Sequence, residues 1–426
     1  MSKKLLLRFF PVLLILIFSS SLFAQTIQTD PKSKNPNVDY KVLAGIDSVV
    51  NDYINKDWVK GVVTLIVKDN QLVQYKGYGY ADAETKKPMK PNDIFRIMSQ
   101  TKAITSVAAM ILYEEGKFKL DQPIADFIPE FRNPTVIASF NKTDTSFTTV
   151  PAKREITFHD LLTHTSGIGY SGIGTDTVQA IYAKVNIPSG LGHMNMTLLE
   201  GIKILAKQPL AFQPGDRWMY GLNSDVLGCL VEVISGMSLE DFMRKRIFDP
   251  LGMKDTYFNL PQDRHNRLAT VYTEQPAGTI IKWDHTHYGI DPDYPMIRTD
   301  FFSGGAGLSS TAFDYAIFLQ MLLNGGIYNK HQVLKPETVA LMTQNQIGEL
   351  SLGPNKFGLG FSITTEQGAT PNGRSKGSFA WGGYFGTNYW ADPKENMVVL
   401  IMTQHTPNSH GDLFRKIENI IYAAVK

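Results

Sequence analysis

The sequence predicts an α+β fold in which both ends of the chain build one unit of antiparallel strands and helices around a long, mostly helical insertion. Three observations carry this. Residues 61–80 read as a hairpin of two strands joined at Asp69-Asn70. Residues 380–403 mirror it, with a Gly- and aromatic-rich stretch, a turn at Asp392-Pro393-Lys394 and an apolar strand from Met397. Between the two, apolar residues recur mainly at helical spacing.

Each element follows in order. The 426-residue chain opens on a basic head, an apolar run and a small-residue exit at Ala24, the pattern of a secretory signal peptide. The apolar run is short for a membrane span. Residues 1–24 are therefore expected to be removed, leaving a periplasmic or secreted protein with no stable membrane insertion. Residues 25–38 are polar, hold Pro31 and Pro36, and read as a flexible lead-in. Val42, Ile46, Val49, Val50, Tyr53 and Ile54 then repeat at helical spacing ahead of the first hairpin. Ala103, Ile104, Val107, Ala108 and Ile111 mark a second helix. In the insertion, 112–298, helices are expected at 158–162, 198–207, 224–235 and 239–247, with Gly236 placed as a C-cap. The polar stretches 133–154, 170–195 and 262–300 read as loops able to build a substrate cleft. A helix over 311–323 leads back, and an amphipathic helix over 412–425 closes the chain. The α/β unit thus comprises 39–111 and 299–426.

Bulk properties exclude several functions. Lys+Arg number 42 against Asp+Glu 40, a net charge of +2, which gives no footprint for nucleic acid or an anionic membrane. The single cysteine, Cys229, lies in an apolar run and reads as a buried core thiol. No His/Cys/carboxylate pattern has metal-ligand spacing, so no metal or cofactor is expected.

The chemistry concentrates at Phe95-Arg-Ile-Met-Ser-Gln-Thr-Lys102. Ser99 and Lys102 stand three residues apart at the mouth of an apolar helix, on one face. Such a pair can make a serine nucleophilic without histidine. The bland alternative is that Ser99 is an N-cap. A second Ser-x-x-Lys, Ser139 to Lys142, lies in a polar stretch without helical periodicity and serves as a control. As a base, Lys102 would have to be neutral, which burial favours; a tyrosinate beside a cation is the other candidate. Tyr220, in Arg217-Trp-Met-Tyr-Gly-Leu-Asn-Ser-Asp225, precedes a helix start and could serve, or could simply be a packed tyrosine. In Ala380-Trp-Gly-Gly-Tyr-Phe-Gly386, glycines in a strand allow close approach to the backbone. The N–H groups of Ser99 and Tyr384 are candidate oxyanion donors.

These three pieces in this order resemble the serine β-lactamase and penicillin-binding protein superfamily, closest to its class C β-lactamase-like esterase branch, the family VIII carboxylesterases. Ser99-Gln-Thr-Lys102 resembles its nucleophile motif. Tyr220-Gly221-Leu222 stands at its Tyr-x-Asn site, and Trp381-Gly382-Gly383 at its Lys-Thr-Gly site on the strand lining the cleft. Leu161-Leu-Thr-His-Thr-Ser-Gly-Ile168, Phe248-Asp-Pro-Leu-Gly-Met253 and Gly304-Gly-Ala-Gly-Leu-Ser-Ser-Thr311 agree. The resemblance covers roughly 40 to 425. It implies a β-lactamase/D,D-peptidase-like fold, an acyl-enzyme on Ser99 formed from a small-molecule ester or amide, and Lys102 and Tyr220 as its partners.

Two departures tilt the expected substrate. The motif asparagine is Leu222, with Asn223 next to it, and the motif lysine is Trp381. Leu222 and Asn223 are expected to line the substrate space, where apolar walls favour short-chain esters over β-lactams. The alternatives are a β-lactamase, D,D-peptidase or D-aminopeptidase on cell-wall-like amides, and a non-catalytic peptidoglycan-binding module. His164 is expected to be a structural histidine rather than a triad member.

Overall fold

The computed structural model describes residues 26–30, 32–188, 195–284 and 290–425. The leader expected at 1–24 lies outside them, as do parts of the expected loops 170–195 and 262–300. The first hairpin is strands β1 (Gly61–Lys68) and β2 (Gln71–Asp82). Asp69 and Asn70 both take positive φ, 53° and 61°, the turn whose twist suits two adjoining strands. With β3 (Lys87–Pro88), β4 (Lys356–Phe357), β5 (Ser362–Ile363), β6 (Phe379–Gly383), β7 (Thr387–Asp392) and β8 (Met397–Met402) they form an eight-stranded antiparallel sheet. Its order is β4-β5-β6-β7-β8-β1-β2-β3. The two ends of the chain therefore meet at the centre, where β1 pairs with β8 from Val63↔Met402 to Lys68↔Met397.

Both central strands are buried along their whole length, so they read as apolar runs without polar alternation. Val62, Ile66, Val399 and Ile401 face helices α1 (Gly45–Asn55) and α6 (Asp412–Ala424) through Ile46, Val50, Leu413, Ile417 and Ile421. Val63, Leu65, Val398 and Leu400 face the other way, into the larger core. That core holds α2 (Thr101–Glu114), α3 (Phe158–Thr163), α4 (Asn223–Ser235) and α5 (Ala312–Leu323). Every residue from Thr101 to Leu112 is buried, as befits a helix apolar or small all round.

Three expectations change. The stretch 262–300 carries a short hairpin, Tyr272–Glu274 paired with Ile280–Lys282. The stretch 133–154 is a hairpin, Thr135–Phe140 paired with Phe147–Pro151. Its strands are largely exposed and Thr-rich, so they lack the apolar alternation that marks a half-buried strand. Ser139 lies in it, with Oγ 2.6 Å from Thr148 Oγ1 and exposed. The stretch 170–195 holds a helix, Asp176–Ala183, capped by Thr175.

Candidate active site

Ser99 sits in a 3-10 turn, Met98–Gln100, that runs directly into α2. Met98 takes φ +48°, a strained conformation for a side chain of this size that costs about 1–3 kcal/mol. It is held there by packing: Met98 is buried with Trp283, Tyr294, Ala306 and Phe385, and its Sδ lies 3.7 Å from the Tyr294 hydroxyl. Ser99 is not an N-cap. The residue before α2 is Gln100, with no side-chain cap bond, and Ser99 Oγ is engaged elsewhere.

Its partners are the two expected from sequence. Tyr220 OH lies 2.6 Å from Ser99 Oγ, and Lys102 Nζ donates to the same oxygen at 3.3 Å. Lys102 is 2% exposed. It also donates to Tyr170 OH at 3.0 Å and to the Gly305 carbonyl at 2.7 Å, so each ammonium proton has an acceptor. The amine stands over the Tyr220 ring, 4.7 Å from its centroid. Burial pushes Lys102 down, but the oxygens of Tyr170 and Tyr220 and the Asp225 carboxylate outweigh it, and its net shift is upward. The neutral lysine that a lysine base would need is therefore disfavoured. Burial drives the Tyr170 hydroxyl upward against the pull of Lys102.

Tyr220 is placed by the chain around it. A side chain at Gly221 would meet the Ile168 carbonyl at 1.9 Å, so only glycine lets the approach to α4 press against the 164–169 turn. Tyr220 then packs on Trp381, Tyr170 and His164 with ring centroids 5.5, 5.4 and 5.1 Å away. Trp381 Nε1 donates to Tyr220 OH at 3.5 Å.

The strand end follows the same logic. A Cβ on Gly383 would lie 2.4 Å from the Ile97 carbonyl and 2.3 Å from Thr387 Oγ1. Its absence brings β6 against the nucleophile turn. Tyr384 follows in the β6–β7 turn, where Gly386 N–H closes on the Gly383 carbonyl at 2.9 Å. Ser99, Tyr220, Trp381, Gly382, Gly383 and Tyr384 all line one cleft of about 520 Å³, within the usual range of small-molecule sites. Ile173 and Phe414 are among its other walls. Among the described residues, those lining it carry no charge.

Leu222 and Asn223 are not part of it. They are 2% and 0% exposed, because the chain enters α4 at once after Gly221 and turns both inward. Asn223 instead ties the preceding turn: it accepts from Ser166 Oγ at 2.5 Å and approaches His164 Nδ1 with its amide at 3.0 Å. His164 is buried, held neutral by burial and by Lys102 well below its ordinary range, and is satisfied by Asn223. Tyr170 and Asp225 are the groups that sequence reasoning missed. Tyr170 lies two residues beyond the 161–168 motif, and Asp225 reads as an ordinary first-turn acid of α4.

A family model described as Beta-lactamase matches residues 46–421. The chain is 33% identical over 385 residues to the Mycobacterium tuberculosis protein Rv1367c, covering 87% of this chain and 92% of that one. It is 28% identical over 402 residues to esterase EstB of Burkholderia gladioli, covering 90% and 95%. Among solved structures, EstCE1, a hydrolase with promiscuous acyltransferase activity, superposes with a TM-score of 0.77 at 26% identity, covering 90% of this chain and 99% of that one.

Proposed function

Since the chain belongs to the beta-lactamase family of serine hydrolases, we propose that it is a carboxylesterase that cleaves short, uncharged esters through an acyl-enzyme on Ser99. The observation that carries the choice of ester is the cleft wall. β-Lactams and D-alanyl peptides bring a carboxylate to the site, and a cationic side chain is the group best able to take that charge out of water. The cleft offers Trp381 and other uncharged groups there. The kinship with esterase EstB and EstCE1 points the same way.

The contacts support the following sequence of steps. Tyr220, as phenolate, takes the Ser99 proton across 2.6 Å, while the Lys102 ammonium offsets the phenolate charge. Ser99 Oγ attacks the ester carbonyl, and the N–H groups of Ser99 and Tyr384 receive the oxyanion. Collapse breaks the ester C–O bond, and Tyr220 returns its proton to the departing alkoxide. Tyr220, again a phenolate, then draws a proton from water; hydroxide adds to the acyl carbon, and Ser99 leaves with that proton.

Ser99→Ala is expected to lower p-nitrophenyl acetate and butyrate turnover on the order of 10³-fold or more and to abolish labelling by a serine-directed phosphonate. Unchanged turnover would overturn the reading. A stable penicillin adduct on Ser99 by intact mass, with no ester turnover, would replace it with the peptidase reading. We also propose a periplasmic or secreted location from the leader-like residues 1–24, to be tested by sequencing the mature N-terminus.

A further inference from the structure

Asp225 lies on α4, one turn beyond Tyr220, and is 2% exposed. Its Oδ1 accepts from Ser303 Oγ at 2.5 Å and from the Gly305 N–H at 3.2 Å. Its Oδ2 is buried with no hydrogen-bond partner among the described residues and rests where a side chain on Gly305 would stand, 2.4 Å from that Cβ position. The same Gly305 turns its carbonyl to Lys102. One residue therefore links a buried carboxylate to a buried amine. A carboxylate half-satisfied in the interior is costly, and packing alone would be served better by an apolar side chain.

Lys102 is faced from every side. Ser99 comes from its own turn, Tyr170 from the segment after α3, Tyr220 from the approach to α4, and the Gly305 carbonyl from the loop before α5. His164, at the end of α3, feels the amine but stays neutral. Neither tyrosine is an anion at rest unless it has lost a proton. Burial pushes the Asp225 carboxyl upward against the pull of Lys102, Ser303 and the Gly305 N–H, and across Gly305 it is the acid that can place a negative charge near the amine.

We propose that Asp225 is the counter-charge that keeps Lys102 an ammonium, making it a positioning residue that assigns the proton-transfer role to Tyr220. The inference rests on the acyl-enzyme reading above. Removing a negative charge disfavours the protonated form of Lys102, so the alkaline limb of the pH–rate profile should move to lower pH.

The test is the kcat/KM profile for p-nitrophenyl acetate in Asp225→Asn and Asp225→Ser, using whichever variant melts cooperatively. The alkaline limb is expected to move to lower pH by about one unit. Ser303→Ala, which removes a hydrogen bond but leaves the charge, should hold it in place. A limb that stays fixed in the Asp225 variant, or moves equally in Ser303→Ala, overturns the proposal. A second readout needs no activity. Lysine labelled with ¹³C at Cε, assigned by Lys102→Met, should report Lys102 as an ammonium at pH 9 in the unaltered protein, with its titration beginning at lower pH in the Asp225 variant. A neutral Lys102 at pH 9 in the unaltered protein also overturns it. Loss of phosphonate labelling at Ser99 in the unaltered protein would instead refute the esterase reading and leave the lysine titration standing.

Discussion

Three acceptors around one buried amine decide which groups can move a proton. With Ser99, Tyr170 and Gly305 all accepting from Lys102, the amine has no open lone pair to offer a hydroxyl. Lys102→Met is expected to cost on the order of 10²–10⁴ in kcat for p-nitrophenyl butyrate, because the Tyr220 phenolate loses its cation. Stopped-flow or steady-state release of p-nitrophenol reads this directly, and a loss under tenfold would count against it. A second residue bears on stability rather than chemistry. His405 is buried, and burial, opposed by Glu274, holds its imidazole down to about 4. In the unfolded chain it takes a proton near its ordinary 6.5, so the unfolded state binds more protons between those values. The contribution is fully present above about 6.5 and is lost as pH falls toward 4. His405→Leu should therefore flatten the acid side of the stability curve, seen as a smaller drop in urea midpoint between pH 7 and 4.5. An equal drop in both proteins would refute it. His164 has the same sign and accounts for part of what remains.

At the scale of elements, the site exists because a strand end, a turn and a helix start come within touching distance. Gly383→Ala would drive a Cβ into the Ile97 carbonyl and push β6 off the nucleophile turn. A displacement near 1 Å costs about 10²-fold in rate, so kcat should fall by roughly that factor, with the melting temperature lowered only modestly. Gly382→Ala meets, among the described residues, only the Thr387 carbonyl, at 3.1 Å, and should be milder. Much of this arrangement was legible in the sequence. The hairpin from Gly61 announced itself by its apolar run and its Asp-Asn turn, and the spacing of Ser99 and Lys102 placed them on one face. What stayed hidden had no local pattern. Tyr170 reaches Lys102, and Asp225 reaches Gly305, only through tertiary folding, and the Thr135–Phe140 hairpin looked like loop because its strands face water. Leu222 and Asn223 misled for the opposite reason. Their place beside Tyr220 suggested the cleft, but one step along a helix turns a side chain about a quarter of the way round.

For the whole molecule, the last helix matters as much as the first. Helix α6 lays Leu413, Ile417 and Ile421 on the sheet and turns Phe414 to the cleft. Ile417→Ala should cost about 2–5 kcal/mol by chemical denaturation, and a chain ending before α6 should fail to give a soluble, cooperatively melting protein. A stable truncated form would show that the outer face of the sheet does not depend on its cover. The pairing of β1 with β8 carries a further consequence for how the protein is made. A growing chain releases Gly61–Lys68 early, and that strand waits beside no lasting neighbour on one edge until Met397–Met402 emerges. Ser99 is thus synthesised long before the scaffold that aims it can close. The central pairing of the sheet, and with it the aim of the reactive serine, is completed only after Met397–Met402 has been made.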